Sequence, residues 1–242
     1  MLLYIIILRM GIPVGVLALK DPIIWPYAWD TWTYCFAEPL AQYTQANAKE
    51  SVLVVDNIDG TGLKWQAPPL GFYKANWDIV VSSNRKCMDI GVIIKDGGGR
   101  VLAAKNKTIG AIYESTVGEA LAALHAAELR RDLGLAALHA AELRRDLGFF
   151  YVILEGDSLL VVKAIGETEQ NWLQYGRLVE DTKLVLRFLR QWKISHIKRE
   201  ANEAAHGLAK EASRVTMDNL WIEETPICIS NIVLSELNAL SL

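Results

Sequence analysis

The chain has 242 residues, 52% of them hydrophobic, enough to bury one substantial core of ordinary domain size and to carry an additional segment. A net charge of −3 and a pI near 5.9 exclude a protein that grips nucleic acid by bulk charge, so any such binding must be local. Cys35, Cys87 and Cys228 lie far apart without a CxxC pair, which indicates neither a zinc site nor a disulfide framework and is compatible with a reducing compartment.

The opening MLLYIIILRMGIPVGVLALK is nearly all apolar but is interrupted by Arg9 and Pro13. A charge inside a spanning helix costs about 2.5–3.5 kcal/mol at its centre, and the basic n-region of a signal peptide is missing. A remnant or a misassigned exon is favoured over membrane or secretory targeting, which stays open. Residues 20 to 69 hold a Trp/Tyr/Pro-rich piece, the polar run QYTQANAKE and the turn signal NIDGTG, with no period running through them. Residues 1–69 therefore read as a poorly structured apolar segment and linker.

From Gly71 the pattern changes. FYKANWDIVV, MDIGVIIKD and VLAAKNKT read as a three-stranded antiparallel meander, with DGGG a hairpin turn rather than a phosphate loop, since no helix follows it. A helix from about Ser115 follows, then a strand FFYVILE, a helix from Ser158 to about Ile165 and a long helix from about Trp172 to Arg190. A strand WKISHIK and a helix ANEAAHGLAKEAS complete the set. Strands first and alternation afterwards imply an α/β architecture, a mixed sheet with helices packed on it. Residues 70 to 213 carry 20 basic against 18 acidic groups, and residues 1 to 69 carry 4 against 6, so the weak basic character sits with the domain. Residues 215–242 read as a C-terminal tail.

LAALHAAELRRDLG at Leu121 to Gly134 recurs unchanged at Leu135 to Gly148, a tandem duplication or an error of gene assembly. Fourteen residues at 100° each rotate the second copy by only about 40°, so a continued helix keeps nearly the same apolar face. It would, however, overshoot the following strand by about 21 Å. Dividing the excess between helix outward and extended chain back leaves roughly ten residues helical and unwinds four, at Arg145 to Gly148. The register with the first copy in the native helix is favoured, because the alternative puts Leu133 where Glu119 would otherwise stand.

Three acidic residues carry the chemical signal. Asp78 lies mid-strand among apolar residues, Glu119 in a first helical turn, and Asp157 at the end of the apolar run YVILEGDS, where a fold of this order can bring them together. Crowded carboxylates repel one another, and a hard divalent cation such as Mg²⁺ is the usual remedy, which points to phosphodiester chemistry. Each also has a plainer reading: a solvated strand face for Asp78, a helix cap for Asp157 and a dipole-favoured position for Glu119. Glu155 alternates to the other face and reads as structural.

KANWD, GVIIKDGGGRVLAA, GEALAAL, VILEGDS and REANEAAHGLAKEA, in this order and rough spacing, resemble the reverse-transcriptase-like, type 1 ribonuclease H family, over about residues 68 to 214. The resemblance implies a ribonuclease H-like five-stranded mixed sheet over 70–214, the first three strands antiparallel and the last two parallel, flanked by helices. It implies hydrolysis of the RNA strand of RNA–DNA hybrids with two Mg²⁺ or Mn²⁺ ions and no small-molecule cofactor; a monomer is expected, and localisation stays open, an intracellular place, nuclear or cytoplasmic, being favoured over secretion. Asp78, Glu119 and Asp157 would hold metal. His206 stands where active members carry aspartate, although plant relatives often have histidine, and it reads equally as a packing residue or as a fourth catalytic group. Ile79 replaces the glycine that usually follows the first aspartate, where it could crowd the substrate, and KREANE replaces the mobile histidine loop of bacterial relatives. Asn76, Ser158 and Asn202 are the expected nucleic-acid contacts. These departures keep alternatives in play: a catalytically weakened binding module, or a retroelement-derived remnant.

Overall fold

The computed structural model describes residues 54–55, 64–111, 114–140, 151–169, 172–187, 189, 191–215 and 217–240, with side chains left out at 54–55 and 134–140. All of these lie in the unit Val52–Leu242. The apolar segment 1–20 and the proposed unwinding at Arg145 to Gly148 fall outside them. No helix among the described residues is long and apolar enough to cross a membrane.

Three long strands, β2 (Tyr73–Ser82), β3 (Cys87–Lys95) and β4 (Val101–Ile109), form the antiparallel meander. The β3–β4 connection is the hairpin that DGGG indicated. Asp96 Oδ1 accepts from the backbone N–H of Gly98 and of Arg100, both at 2.9 Å, and Gly99 takes φ +76°, a conformation natural to glycine. Helix α1 (Ser115–Ala140) leads to β5 (Tyr151–Gly156), which pairs parallel with β2. Helices α2 (Leu159–Gly166) and α3 (Gly176–Leu186) precede β6 (Gln191–His196), parallel to β5. A 3₁₀ turn, Arg199–Ala201, enters α4 (Glu203–Ala212).

The five strands and their directions match the expected mixed sheet, and the sheet extends further at both edges. Val54–Val55 (β1) pairs with β6, and Asn219–Ile222 (β7) pairs with β4, giving seven strands in the order β1-β6-β5-β2-β3-β4-β7. The stretch beyond 214, read from the sequence as a tail, therefore supplies a strand. It also supplies α5 (Ser230–Leu240), whose Val233 joins Ile229, Leu208, Ala205 and Ile93 in one buried cluster. The edge of β4 and the face of α4 organise these residues.

Every residue of β3 is buried because helices cover both faces of the sheet. On one side α1 packs over β2 and β3, where a Cβ at Gly118 would come 2.0 Å from Met88 Cε and 2.9 Å from Ile79 Cδ1. On the other, α4 lies so close to β3 that a Cβ at Gly91 would meet the Ala205 carbonyl at 2.1 Å and the Ala209 nitrogen at 2.5 Å. The lead-in also reaches the core. Trp65 is buried beneath the ammonium of Lys95, 3.7 Å from its ring, and Lys95 pairs with Glu236 of α5 at 2.6 Å.

Candidate metal and active site

Asp78 comes from the middle of β2, Glu119 from the first turn of α1 and Asp157 from the residue after β5. One carboxylate oxygen from each lies within 4.8 Å of the others. β2 and β5 are adjacent parallel strands, which puts Asp78 and the end of β5 side by side, and the tight seat of Gly118 draws the start of α1 down beside them. Gly118 thus serves close approach.

Asp78 is fixed twice. Its Oδ1 accepts from the backbone N–H of Ile79 at 2.7 Å, and its Oδ2 lies 2.8 Å from His206 Nδ1. The side chain of Ile79 turns into the core against Gly118 and is 5% exposed, so it fills the fold and does not crowd a substrate. Asp157 is not a helix cap: the N-cap of α2 is Ser158, which makes no side-chain capping bond and is half-buried.

At about 4.8 Å and an effective dielectric near 20, two carboxylates repel by about 3.5 kcal/mol. Burial first, and then the charge of Asp157, raises Asp78 to about 7. Burial followed by the charges of Asp78 and Asp157 raises Glu119 to about 9. Asp157 is raised by burial, against the opposing pull of Arg199. Glu119 Oε2 is buried and has no hydrogen-bond partner among the described residues. An all-oxygen donor set that retains protons near neutral pH, with one buried oxygen unsatisfied, fits a hard divalent cation such as Mg²⁺ or Mn²⁺.

His206 joins this cluster from the first turn of α4. Burial, then the charges of Arg199 and Lys210, lowers its imidazole to about 4, so the ring is neutral at pH 7. Its Nδ1 lies 2.8 Å from Asp78 and 2.9 Å from Arg199 Nη2. One ring nitrogen cannot donate to the carboxylate and accept from the guanidinium at once, so the tautomer decides which bond is made. His206 is thus a neutral partner of Asp78, not a fourth charge.

Two expected nucleic-acid contacts are used inside the protein instead. Asn76, 1% exposed, accepts from Trp65 Nε1 at 3.2 Å and donates to Glu155 at 3.1 Å and to Asn202 at 3.4 Å. Asn202, equally buried, donates to the Trp77 carbonyl at 2.7 Å, and its own carbonyl accepts from the His206 backbone N–H. These bonds anchor the N-terminus of α4 to β2 and so place His206. Glu155, read as structural, completes the network with Lys74 at 2.6 Å.

Three neighbours of the site were not singled out from the sequence. Arg199 has a side chain 58% exposed, 4.0 Å from Asp78 Oδ2. His196 Nε2 lies 3.1 Å from the Asp157 carbonyl. Trp77, fully buried beside Asp78, fills the space over Gly156, where a Cβ would meet its ring at 2.3 Å. The one available signal was the bulky aromatic preceding Asp78 paired with a glycine preceding Asp157.

Comparison with known proteins adds the following. A family model described as reverse transcriptase-like matches residues 134–212, a span that includes Asp157 and His206 and leaves out Asp78 and Glu119. No curated protein matches the chain. Among solved structures, ribonuclease H1 of Halobacterium salinarum is 26% identical with a TM-score of 0.46, over 59% of this chain and 98% of its own. LC11 ribonuclease H1, from compost, in complex with an RNA/DNA hybrid, is 20% identical with a TM-score of 0.46, over 58% and 95%. The N-terminal ribonuclease H domain of a Mycobacterium tuberculosis protein is 18% identical with a TM-score of 0.46, over 59% and 94%. The family model that residues 134–212 match is of the kind that the ordered motifs resemble, and the chain is similar to it over that span.

Proposed function

We propose that this protein is a divalent-metal-dependent endonuclease that hydrolyses the RNA strand of RNA–DNA hybrids. The observation that carries the reading is the convergence of Asp78, Glu119 and Asp157 from three separate elements to within 4.8 Å. Asp78 is the central ligand, held by the Ile79 N–H and His206, and Glu119 and Asp157 flank it. A pair of Mg²⁺ or Mn²⁺ ions bound there would activate the attacking water and stabilise the leaving 3′ oxygen. Arg199 supplies positive charge where a phosphate would join three carboxylates, and Ser158, half-buried with no capping bond, is the polar side chain left to meet the nucleic-acid backbone.

A second reading is a binding module that holds hybrids without cutting them. The specific observation in its favour is His206, which engages an Asp78 oxygen and brings no negative charge of its own. The deciding experiment incubates an end-labelled RNA–DNA hybrid with the protein in Mg²⁺, in Mn²⁺ and in chelator, alongside single-stranded RNA and duplex DNA. Metal-dependent cutting of the RNA strand of the hybrid supports the nuclease. Salt-sensitive binding of the hybrid without cutting in either metal overturns it in favour of the module.

A further inference from the structure

Trp65 and Glu236 lie outside residues 68 to 214, over which the motifs run, and outside the matched span 134–212, one ahead of the domain and one behind it. Both meet on one residue of the central strand β3. The Lys95 ammonium, its side chain 1% exposed, sits 3.7 Å over the Trp65 ring and 2.6 Å from Glu236 Oε2, so a buried cation has one partner from each flank. Removing either partner would leave a buried charge half-compensated, which makes the two seats interdependent. From Trp65 the bonds run onward in one direction. An indole N–H can only donate, so the Asn76 amide must turn its oxygen toward Trp65 and its NH₂ toward Glu155 and Asn202. The Trp77 carbonyl can only accept, so Asn202 gives that carbonyl its NH₂ at 2.7 Å and keeps its oxygen for Asn76 at 3.4 Å. Trp65, Asn76 and Asn202 are all buried, and little water reaches these bonds to replace them.

We propose that Trp65 and Glu236 close a clasp behind the carboxylate site: joined on Lys95, they fix the direction of the Asn76–Asn202 relay, which positions the backbone next to Asp78 and the turn that carries His206. The relay ends at two points of the site. One is the carbonyl of Trp77, the residue before Asp78 on β2. The other is Asn202 itself, which stands immediately before α4 and whose backbone carbonyl accepts from the His206 N–H at 3.1 Å. Trp65 is therefore a positioning residue that acts through Asn76 and does not meet a substrate. In a buried chain of this kind, a break at one end leaves a donor or acceptor unmatched further along, so the bonds hold best together. Glu155 braces the middle, its Oε2 accepting the Asn76 N–H while its Oε1 pairs with Lys74 at 2.6 Å. Helix α5 also touches α4 directly, with Val233 and Leu208 in one buried cluster, so the contribution of the relay is read from Trp65, which leaves that contact alone.

The test is hydrogen exchange of the full chain read by mass spectrometry, with peptides over 199–206, over 230–240 and, as reference, over 101–109. Trp65→Phe keeps an aromatic face for Lys95 and leaves α5 untouched but removes the N–H. It should speed exchange over 199–206 by about fivefold or more, the size of one lost hydrogen bond, with 101–109 unchanged. The same variant should move the His206 imidazole ¹⁵N resonances at fixed pH, identified as those missing in His206→Gln. Glu236→Gln should speed exchange over 230–240 and over 199–206 together. Where a variant does not fold, the parent alone decides: in native-state exchange at rising denaturant the Trp65 indole proton, the His206 amide and the α5 amides should open in one step. Unchanged exchange over 199–206 in Trp65→Phe overturns the proposal, as does a rise no larger than that of 101–109, which is lost stability alone. Separate opening of the Trp65 indole and the His206 amide in the parent overturns it as well.

Discussion

His206 Nδ1 lies 2.8 Å from Asp78 Oδ2, tying the first turn of α4 to the middle of β2. Burial keeps the imidazole neutral, so the bond orients Asp78 without offsetting its charge. Replacing this ring with a carboxylate adds a hard oxygen donor and a negative charge. His206→Asp is expected to bind Mg²⁺ about tenfold more tightly, a gain of about 1.4 kcal/mol, and to cut hybrid faster at limiting Mg²⁺. Calorimetry and cleavage rates across a metal titration check this. Equal or weaker binding would mean that His206 is itself the better partner for this site.

Asp157→Asn removes a ligand charge with almost no change in volume. The variant should fold with an unchanged circular dichroism spectrum and lose metal-dependent hybrid cleavage by at least about 10²-fold, a loss of roughly 2.7 kcal/mol of transition-state stabilisation. Undiminished turnover would place the chemistry elsewhere.

The raised carboxyls predict a pH dependence in the metal-free protein. Asp78 and Glu119, near 7 and 9 when folded, titrate from 3.8 and 4.5 in the unfolded chain. The folded state therefore holds more protons between about pH 4 and 9, and stability falls as pH rises through that interval. Urea denaturation in chelator at pH 5 and at pH 9 measures it, and saturating Mg²⁺ or Glu119→Gln should flatten it. A metal-free protein more stable at pH 9 than at pH 5 would contradict the buried, crowded site.

Gly156→Ala drives a Cβ into the Trp77 ring, and Gly91→Ala drives one into the backbone of α4, which yields less readily than a side chain. Both should destabilise by about 1–3 kcal/mol or more, with Gly91→Ala the worse. Gly97→Ala, where the nearest atom is the Pro68 carbonyl at 3.5 Å, is the control and should melt close to the parent. Similar melting temperatures for all three variants would show that the sheet and its helices are less closely packed than this.

Helix α1 runs through the end of the first copy to Ala140, while Glu119 at its start joins the carboxylates. Deleting Leu135 to Gly148 shortens the Glu119 to Asp157 separation from 38 residues to 24 and leaves the first copy in place. The shortened chain should melt several degrees higher and gain more from Mg²⁺ than the parent does. Melting curves with and without the metal decide it, and a lower melting temperature would make the second copy an integral part of the fold.

The register of α1 shows how far local sequence reaches. Either copy of the repeat presents nearly the same apolar face, so periodicity alone leaves both possible. The choice for Glu119 rests on the carboxylate grouping and, in the structure, on the space beside Met88 and Ile79 that only Gly118 fits. Ile79 shows the reverse limit. Next to Asp78 in the chain it looked like an obstacle to substrate, yet the alternation of a strand sends it to the other side of the sheet, into the core.

The sequence by itself determined the strand and helix order from Tyr73 to Ala212 and the three acidic positions, because alternation, helical period and an ordered motif set are local properties carried by neighbouring residues. Tertiary structure decided the rest. Asn76 and Asn202 became an internal anchor because α4 crosses β2 at that point, not because of any residue beside them in the chain. Asn219–Ile222 became a strand because β4 offered an unpaired edge, and a lone four-residue segment has too few contacts to offset its ordering entropy. The seat of Trp77 over Gly156 followed from β5 lying beside β2, which brought Gly156 up to the ring across 79 residues of sequence. Contacts of that span depend on which faces meet, and that information is distributed over the whole fold.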